Sequence, residues 1–268
     1  MTHSGKTYVL TGVSSGVGAA VAADLGNRGA RIIGIDRVEP KAAVAAFHRC
    51  DLSDPAQIDA AVAAIRGPID GLVNIAGVPG SLPAETVAKV NYLAVRRLTE
   101  ALLPRLSDFG AVVNVASTAG ANWRARADLV RSLIAVEAWE DGLKHFLGFG
   151  FNSVQAYDLS KEAVILYSML VSSHERHRGV RVNTVSPGAV QTPILATFYD
   201  TMGADLLTRL RTQAGGRDAL PEEMAGPIAF LLSRDAQWVN GIDLIADGGA
   251  EVSLTLEGLA SPAKTLAF

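Results

Sequence analysis

Short apolar runs alternate with longer stretches of helical period from the first residues almost to the last. The runs Tyr8–Leu10, Arg31–Ile35, Phe47–Cys50, Leu72–Asn74, Val112–Ala116, Val180–Val185 and Ile242–Ile245 read as strands. Most are separated by enough chain for a crossover helix. Seven buried runs joined by helices predict an α/β architecture, a doubly wound seven-stranded parallel sheet forming one domain over residues 1–268. An Ala-rich helix is expected from Gly18 to near Gly26, a second from near Pro83 to Leu106, and a third from near Asn152 to near Arg178, just before a glycine.

Two stretches interrupt the alternation. Residues 121–153 fill a place where a single loop is expected, and Leu129, Leu133, Val136, Leu143 and Leu147 fall near helical spacing, which predicts a helical insertion. The tail 250–268 shows no clear period and is expected to be an arm packing on this or another subunit.

The composition narrows the function classes. The chain of 268 residues has a net charge of −3, without the basic surface that nucleic-acid binding requires. A 49% hydrophobic content beside 19% charged residues supports a large core and excludes disorder. The single cysteine, Cys50, cannot close an intramolecular disulfide, and the five histidines lack metal-ligand spacing, so no metal is expected. The apolar run near the N-terminus is too short for a signal-peptide core, and no run approaches the roughly 20 residues of a membrane span. A soluble cytoplasmic protein, binding neither nucleic acid nor membrane, is the expectation.

The first strand runs directly into Thr11-Gly12-Val13-Ser14-Ser15-Gly16-Val17-Gly18, and a helix follows. Glycines at these positions allow a tight turn, close approach of a pyrophosphate, and close packing of helix on strand, while the helix N-terminus supplies N–H donors. The second strand ends at Asp36, eighteen residues beyond Gly18. A carboxylate there accepts hydrogen bonds from both adenosine ribose hydroxyls and repels a 2′-phosphate, which favours NAD over NADP. Arg37 beside it is the one group that could receive such a phosphate. Further along, Tyr157 and Lys161 stand at i and i+4, neighbours on one helix face. A nearby ammonium favours the phenolate and is expected to lower the phenol's pKa toward the range useful for acid–base work.

Together these residues resemble the short-chain dehydrogenase/reductase family. TGVSSGVG is similar to its glycine loop. Asn74-Ile75-Ala76-Gly77 resembles its NNAG motif, with Ile75 replacing the second Asn, and Val90-Asn91-Tyr92 carries its helix asparagine. Asn114 to Gly120 resembles the segment holding the active-site serine, where the spacing N-x-x-S-x-x-G selects Ser117 over Thr118. Asn183 to Gly188, followed by Thr192, resembles the nicotinamide region, and Asp247-Gly248-Gly249 the end of the last strand.

This likeness, over residues 6–250, implies a Rossmann fold and a catalytic set of Asn91, Ser117, Tyr157 and Lys161. Tyr157 would move the proton, Ser117 orient the substrate oxygen, Lys161 tune Tyr157 and grip the ribose, and Asn91 anchor the onward relay. The implied cofactor is NAD, held by Gly12, Ser14, Ser15, Gly16, Val17, Gly18, Asp36, Arg37, Asp51, Leu52, Asn74, Ala76, Gly77, Tyr157, Lys161, Pro187, Gly188, Val190 and Thr192. A homodimer or homotetramer is implied as well. An NAD-binding redox sensor without turnover would be expected to lack one of Ser117, Tyr157 or Lys161, and all three are present.

Forty positions separate Ser117 from Tyr157, more than most of the family has, and the insertion's place is similar to that in members acting on 3α-hydroxysteroids, carbonyl compounds or coniferyl-type alcohols. The insertion carries Trp123, Trp139, Phe146, Phe149 and Phe151, which suit either the wall of a cleft for a bulky apolar or aromatic alcohol or a satellite core. Phe198, Tyr199 and Met202 fall where the family has a mobile lid.

Overall fold

The computed structural model describes residues 2–259, with positions 201, 202, 258 and 259 described by their backbone alone. Seven parallel strands form one sheet: β1 (Thr7–Thr11), β2 (Arg31–Asp36), β3 (Ala46–Arg49), β4 (Ile69–Asn74), β5 (Leu106–Val115), β6 (Arg181–Pro187) and β7 (Asp243–Ala246), in the order β3-β2-β1-β4-β5-β6-β7. The chain winds outward from β1 to β3, then returns to lay β4 on the other side of β1. The carboxyl ends of β1 and β4 therefore flank a topological switch point, where such sheets open a crevice.

The helices are α1 (Gly16–Asn27), α2 (Pro55–Ala64), α3 (Ala84–Ala88), α4 (Ala94–Leu102), α5 (Ala127–Ile134), α6 (Trp139–Gly148), α7 (Ser153–His174), α8 (Leu195–Met202), α9 (Ala204–Gln213), α10 (Pro221–Leu232) and α11 (Ala250–Leu259). Val21 and Leu25 of α1 meet Ile228 and Leu231 of α10 on one face of the sheet, against Leu10 and Val113. On the other face, Leu98 and Leu102 of α4 and Leu159, Val164 and Ile165 of α7 cover Leu72 and Val112. Helix α7 starts at a capping box, in which Gln155 N donates to Asn152 Oδ1 at 2.9 Å and Asn152 N donates to Gln155 Oε1 at 3.1 Å.

The long helix expected from Pro83 to Leu106 is broken three ways. It runs as α3, then a π-helical turn over Lys89–Leu93, then α4, and closes in a 3₁₀ turn over Leu103–Arg105. Pro104 lacks the amide hydrogen needed to continue α4. Strand β5 begins at Leu106, earlier than its apolar run, because the chain crosses an exposed kink at Asp108 and Phe109 before the buried run starts.

A 3₁₀ segment (Thr118–Arg124) leads into the insertion, which contains α5 and α6. Val130 and Leu133 of α5, with Trp139, Leu143 and Phe146 of α6, join the core beside α7 and α4. Arg96 of α4 fastens the junction between α5 and α6, its Nη1 donating to Ile134 O at 2.9 Å and Val136 O at 2.6 Å. Arg126 pairs with Glu162 of α7 at 3.3 Å and lies over the Phe151 ring. Glu162 is 1% exposed, so this ion pair also relieves an otherwise isolated buried carboxylate. The aperiodic tail begins as a helix, α11; the rest of the expected arm, 260–268, lies outside the described residues.

Candidate active site

A cleft of about 680 Å³ opens at the carboxyl ends of the strands. Its deep end is the turn from β1 to α1. Gly12 takes a φ of +76°, and a Cβ there would meet the Ala76 backbone at 3.0 Å. A Cβ on Gly18 would lie 2.0 Å from Gly12 O. Both glycines are therefore required by space. Ser15 precedes α1 without capping it through its side chain, which leaves the first-turn N–H groups directed at the cleft, as an anionic phosphate requires.

Asp36 stands at the end of β2, facing this turn. Its Oδ2 accepts from Ser14 N at 3.0 Å and Ser14 Oγ at 2.7 Å, and its Oδ1 accepts from Val38 N at 3.2 Å. Arg37 also borders the cleft with an exposed side chain. Asp51 and Leu52 line the same end, with Asp51 Oδ1 held by Ser53 N and Oγ. Cys50 forms part of this wall as a buried thiol, pushed up to about 11 by burial.

At the other end Ser117, Tyr157 and Lys161 converge. Ser117 leaves the end of β5 and accepts from Ala119 N at 3.2 Å. Its hydroxyl stands beside the Tyr157 phenol and acts to lower its pKa. Lys161, one turn further along α7, donates to Val115 O at 3.1 Å, and its Nζ lies 5.7 Å from the centre of the Tyr157 ring. Phe198 of α8 meets that ring edge-on at 5.3 Å.

The expected lowering of the phenol by Lys161 is not what governs this pair. Burial pushes Tyr157 up to about 12, opposed by the Ser117 hydroxyl and reinforced by the Asp158 charge. Burial likewise pushes the Lys161 ammonium down to about 8. Both groups lie under protein, and desolvation disfavours each charged form.

Of the expected cofactor contacts, Gly12, Ser14, Ser15, Gly16, Val17, Gly18, Ala76, Gly77, Pro187, Gly188, Val190 and Thr192 all line the cleft. Asn74 does not. It is 2% exposed, and its Nδ2 donates to Asn114 Oδ1 at 2.7 Å and to Thr99 Oγ1 at 3.1 Å, tying β4 to β5 and α4 behind the cleft. Strand alternation turns it into the sheet's covered face.

Asn91 lies in the π-helical turn and is also buried. It clasps Val78, its Oδ1 accepting from Val78 N at 2.8 Å and its Nδ2 donating to Val78 O at 3.0 Å, and so fixes the loop after β4. A Cβ on Gly77 would come within 3.4 Å of Asn91 Oδ1 and 3.7 Å of Lys161 Nζ, so loop, asparagine and lysine meet at one point.

The insertion's aromatics pack as core and not as cleft wall. Trp139 and Phe146 are buried in it, Trp123, Phe149 and Phe151 pack against it, and none of the five lines the cleft. No residue of the insertion, 121–153, lines the cleft; the lining passes from Thr118 before it to Tyr157 after it. The apolar walls come instead from Val78, Pro79, Leu82 and Val90 on one side and Ile194, Leu195, Phe198, Leu207 and Leu210 on the other. Sequence reasoning missed most of these. Leu207 and Leu210 at i and i+3 carried the one readable signal. The side chain of Met202 lies outside the described residues.

A parallel switch-point sheet with a glycine turn, a strand-end carboxylate and a Ser/Tyr/Lys constellation defines a dinucleotide-dependent oxidoreductase. The short chain dehydrogenase family model matches residues 6–128, and one described as enoyl-(acyl carrier protein) reductase matches 147–251. The unmatched stretch between them falls within the insertion. Coniferyl-alcohol dehydrogenase of a Pseudomonas species is 41% identical over 93% of this chain and 98% of its own. D-threitol dehydrogenase of Mycolicibacterium smegmatis is 34% identical over 91% of this chain and 92% of its own. The crystal structure of a Pseudomonas 3-alpha-hydroxysteroid dehydrogenase complexed with NADH superposes with a TM-score of 0.78 at 32% identity, covering 97% of this chain and 100% of that one. The chain belongs to the short-chain dehydrogenase/reductase family, whose members bind a nicotinamide cofactor.

Proposed function

We propose that this protein is an NAD-dependent alcohol dehydrogenase acting reversibly on a bulky hydrophobic or aromatic alcohol of the coniferyl type. The observation that carries the reading is the distribution of charge along one cleft. Asp36, Arg37 and Asp51 lie at its adenosine end, whereas the walls around Tyr157 are apolar and hold Lys161 as their charged group. Such a pocket favours an uncharged apolar alcohol over a phosphorylated or acidic one. The name of the 41% relative supports the aryl alcohol. The 3-alpha-hydroxysteroid neighbour supports a steroid as the second reading, since the same walls suit both.

The nicotinamide supplies hydride acceptance and donation. The glycine turn and the α1 N-terminus hold its phosphates, and Asp36 receives the adenosine ribose. Tyr157 takes the alcohol proton or returns it, and Ser117, beside the phenol, orients the substrate oxygen. Lys161 would grip the nicotinamide ribose, and Asn91 would extend the proton path beyond Lys161. The reading retains a homo-oligomer in the cytoplasm.

A panel of aryl, allylic and steroid alcohols followed by NADH formation tests the substrate. Turnover confined to hydrophilic polyols overturns the apolar reading. Cofactor choice rests on Asp36, and Asp36→Ala removes an acceptor for two ribose hydroxyls. Hydrogen bonds to a charged group contribute about 1.5–3 kcal/mol, so kcat/KM with NAD should fall by about 10- to 100-fold while that with NADP changes far less. An unchanged ratio of the two removes Asp36 as the selector.

A further inference from the structure

Helix α9 has two working faces. Leu207, 5% exposed, and Leu210 look into the cleft at i and i+3. On another face, Arg209 and Gln213 stand at i and i+4, and both reach one residue of the last helix, Glu257. The Arg209 guanidinium donates to Glu257 Oε2 and the Gln213 amide donates to Glu257 Oε1, so each carboxylate oxygen holds one group of α9. The root of α11 is fixed separately at the end of β7, where the Asp247 carboxylate accepts from Gly249 N at 2.8 Å and Glu251 N at 2.7 Å. Helix α11 thus joins a rigid strand end to the back of a helix that covers the cleft.

We propose that Glu257 is a positioning residue that holds α9 over the cleft and sets how fast the dinucleotide leaves. The proposal rests on the reading that this cleft binds a nicotinamide cofactor. The Arg209–Glu257 pair is solvent-exposed, at 60% and 43%. Exposed pairs are weak, which suits a contact that must break and re-form in each cycle. The expected effect is correspondingly modest, about two- to fivefold in release rate.

The test uses the full chain and measures NADH release by stopped-flow fluorescence, with NADPH in its place if that is the dinucleotide bound. In Glu257→Ala and in Arg209→Glu, release should accelerate about two- to fivefold, while the hydride step in a single turnover is unchanged. The exchange Arg209→Glu with Glu257→Arg should return release toward the wild-type rate, which a merely structural loss would not do. Added salt should speed release from the wild type more than from Glu257→Ala, which keeps only the screening of the phosphates. Release rates equal to wild type in both single variants overturn the proposal, as does an exchange variant no slower than Arg209→Glu. A wild-type chain that binds neither dinucleotide overturns the cofactor reading itself, an outcome visible before any variant is compared.

Discussion

Tyr157→Phe is expected to lower turnover by about 10²- to 10⁴-fold, the range supplied by a positioned acid–base group, while NADH binding stays near the wild-type value. The substitution removes one hydroxyl from a buried ring and keeps the ring's edge contact with Phe198. Ser117 keeps its bond from Ala119 N, and the rest of α7 is untouched. Fold and cofactor cradle should therefore survive, as a melting curve and an NADH titration would establish.

The pH dependence gives an independent readout. Alcohol oxidation needs the phenol as a proton acceptor, and burial holds it up to about 12, so the acceptor fraction grows as pH rises through neutrality. Lys161, pushed down to about 8, loses its positive charge above that value and with it part of its proposed hold on the ribose. Oxidation should thus accelerate from pH 6 to 8 and level off above, whereas carbonyl reduction, which draws on the neutral phenol, should show no such rise. Turnover retained in Tyr157→Phe, or an unaltered pH profile in its residual activity, would remove Tyr157 from the chemistry.

Gly18→Ala is expected to be the most damaging single methyl in the chain. Its Cβ would lie 2.0 Å from Gly12 O, a backbone atom that cannot rotate away, so either α1 or the glycine turn must move. Forcing a methyl into packed space costs about 1–3 kcal/mol and at times more, and here the displaced groups are the phosphate donors themselves. Dinucleotide affinity should fall by about 30- to 100-fold, a change of about 2–3 kcal/mol. Gly26→Ala in the same helix is the control. Nothing lies within 4 Å of its Cβ position, and an exposed helical glycine replaced by alanine should stabilise the fold by about 0.5–1 kcal/mol. Equal behaviour of the two variants in an NADH titration would mean that the β1–α1 contact does not shape the binding site.

The seven strands, the glycine turn, the carboxylate at the end of β2 and the pairing of Tyr157 with Lys161 were all legible in the chain. Each is written in local terms: buried strands as continuous apolar runs, the turn as glycines at fixed offsets, the helix face as a spacing of four. These features depend on neighbours within a few residues, whose geometry the backbone imposes wherever the segment lies. The burial of Asn74 behind the cleft was not legible, because a motif does not say which face of a strand a side chain will take. Its neighbours Thr99 and Asn114 lie 25 and 40 positions away.

The insertion shows the same limit from the other side. Its aromatic content suited a substrate wall and a core equally, and the choice was made by the apolar side of α5 meeting α7 and that of α6 meeting α3 and the π-helical turn, with Arg96 and Arg126 pinning the arrangement. The π-helical turn that seats Asn91, the burial that displaces both Tyr157 and Lys161 from their ordinary pKa values, and the attachment of α11 to α9 likewise had no local signature. The sequence by itself determined the class of fold and singled out the groups proposed to react. Only the tertiary structure decided which side chains enclose the cleft and how their charges are tuned, because burial and contact are set by segments that meet in space after lying far apart in the chain.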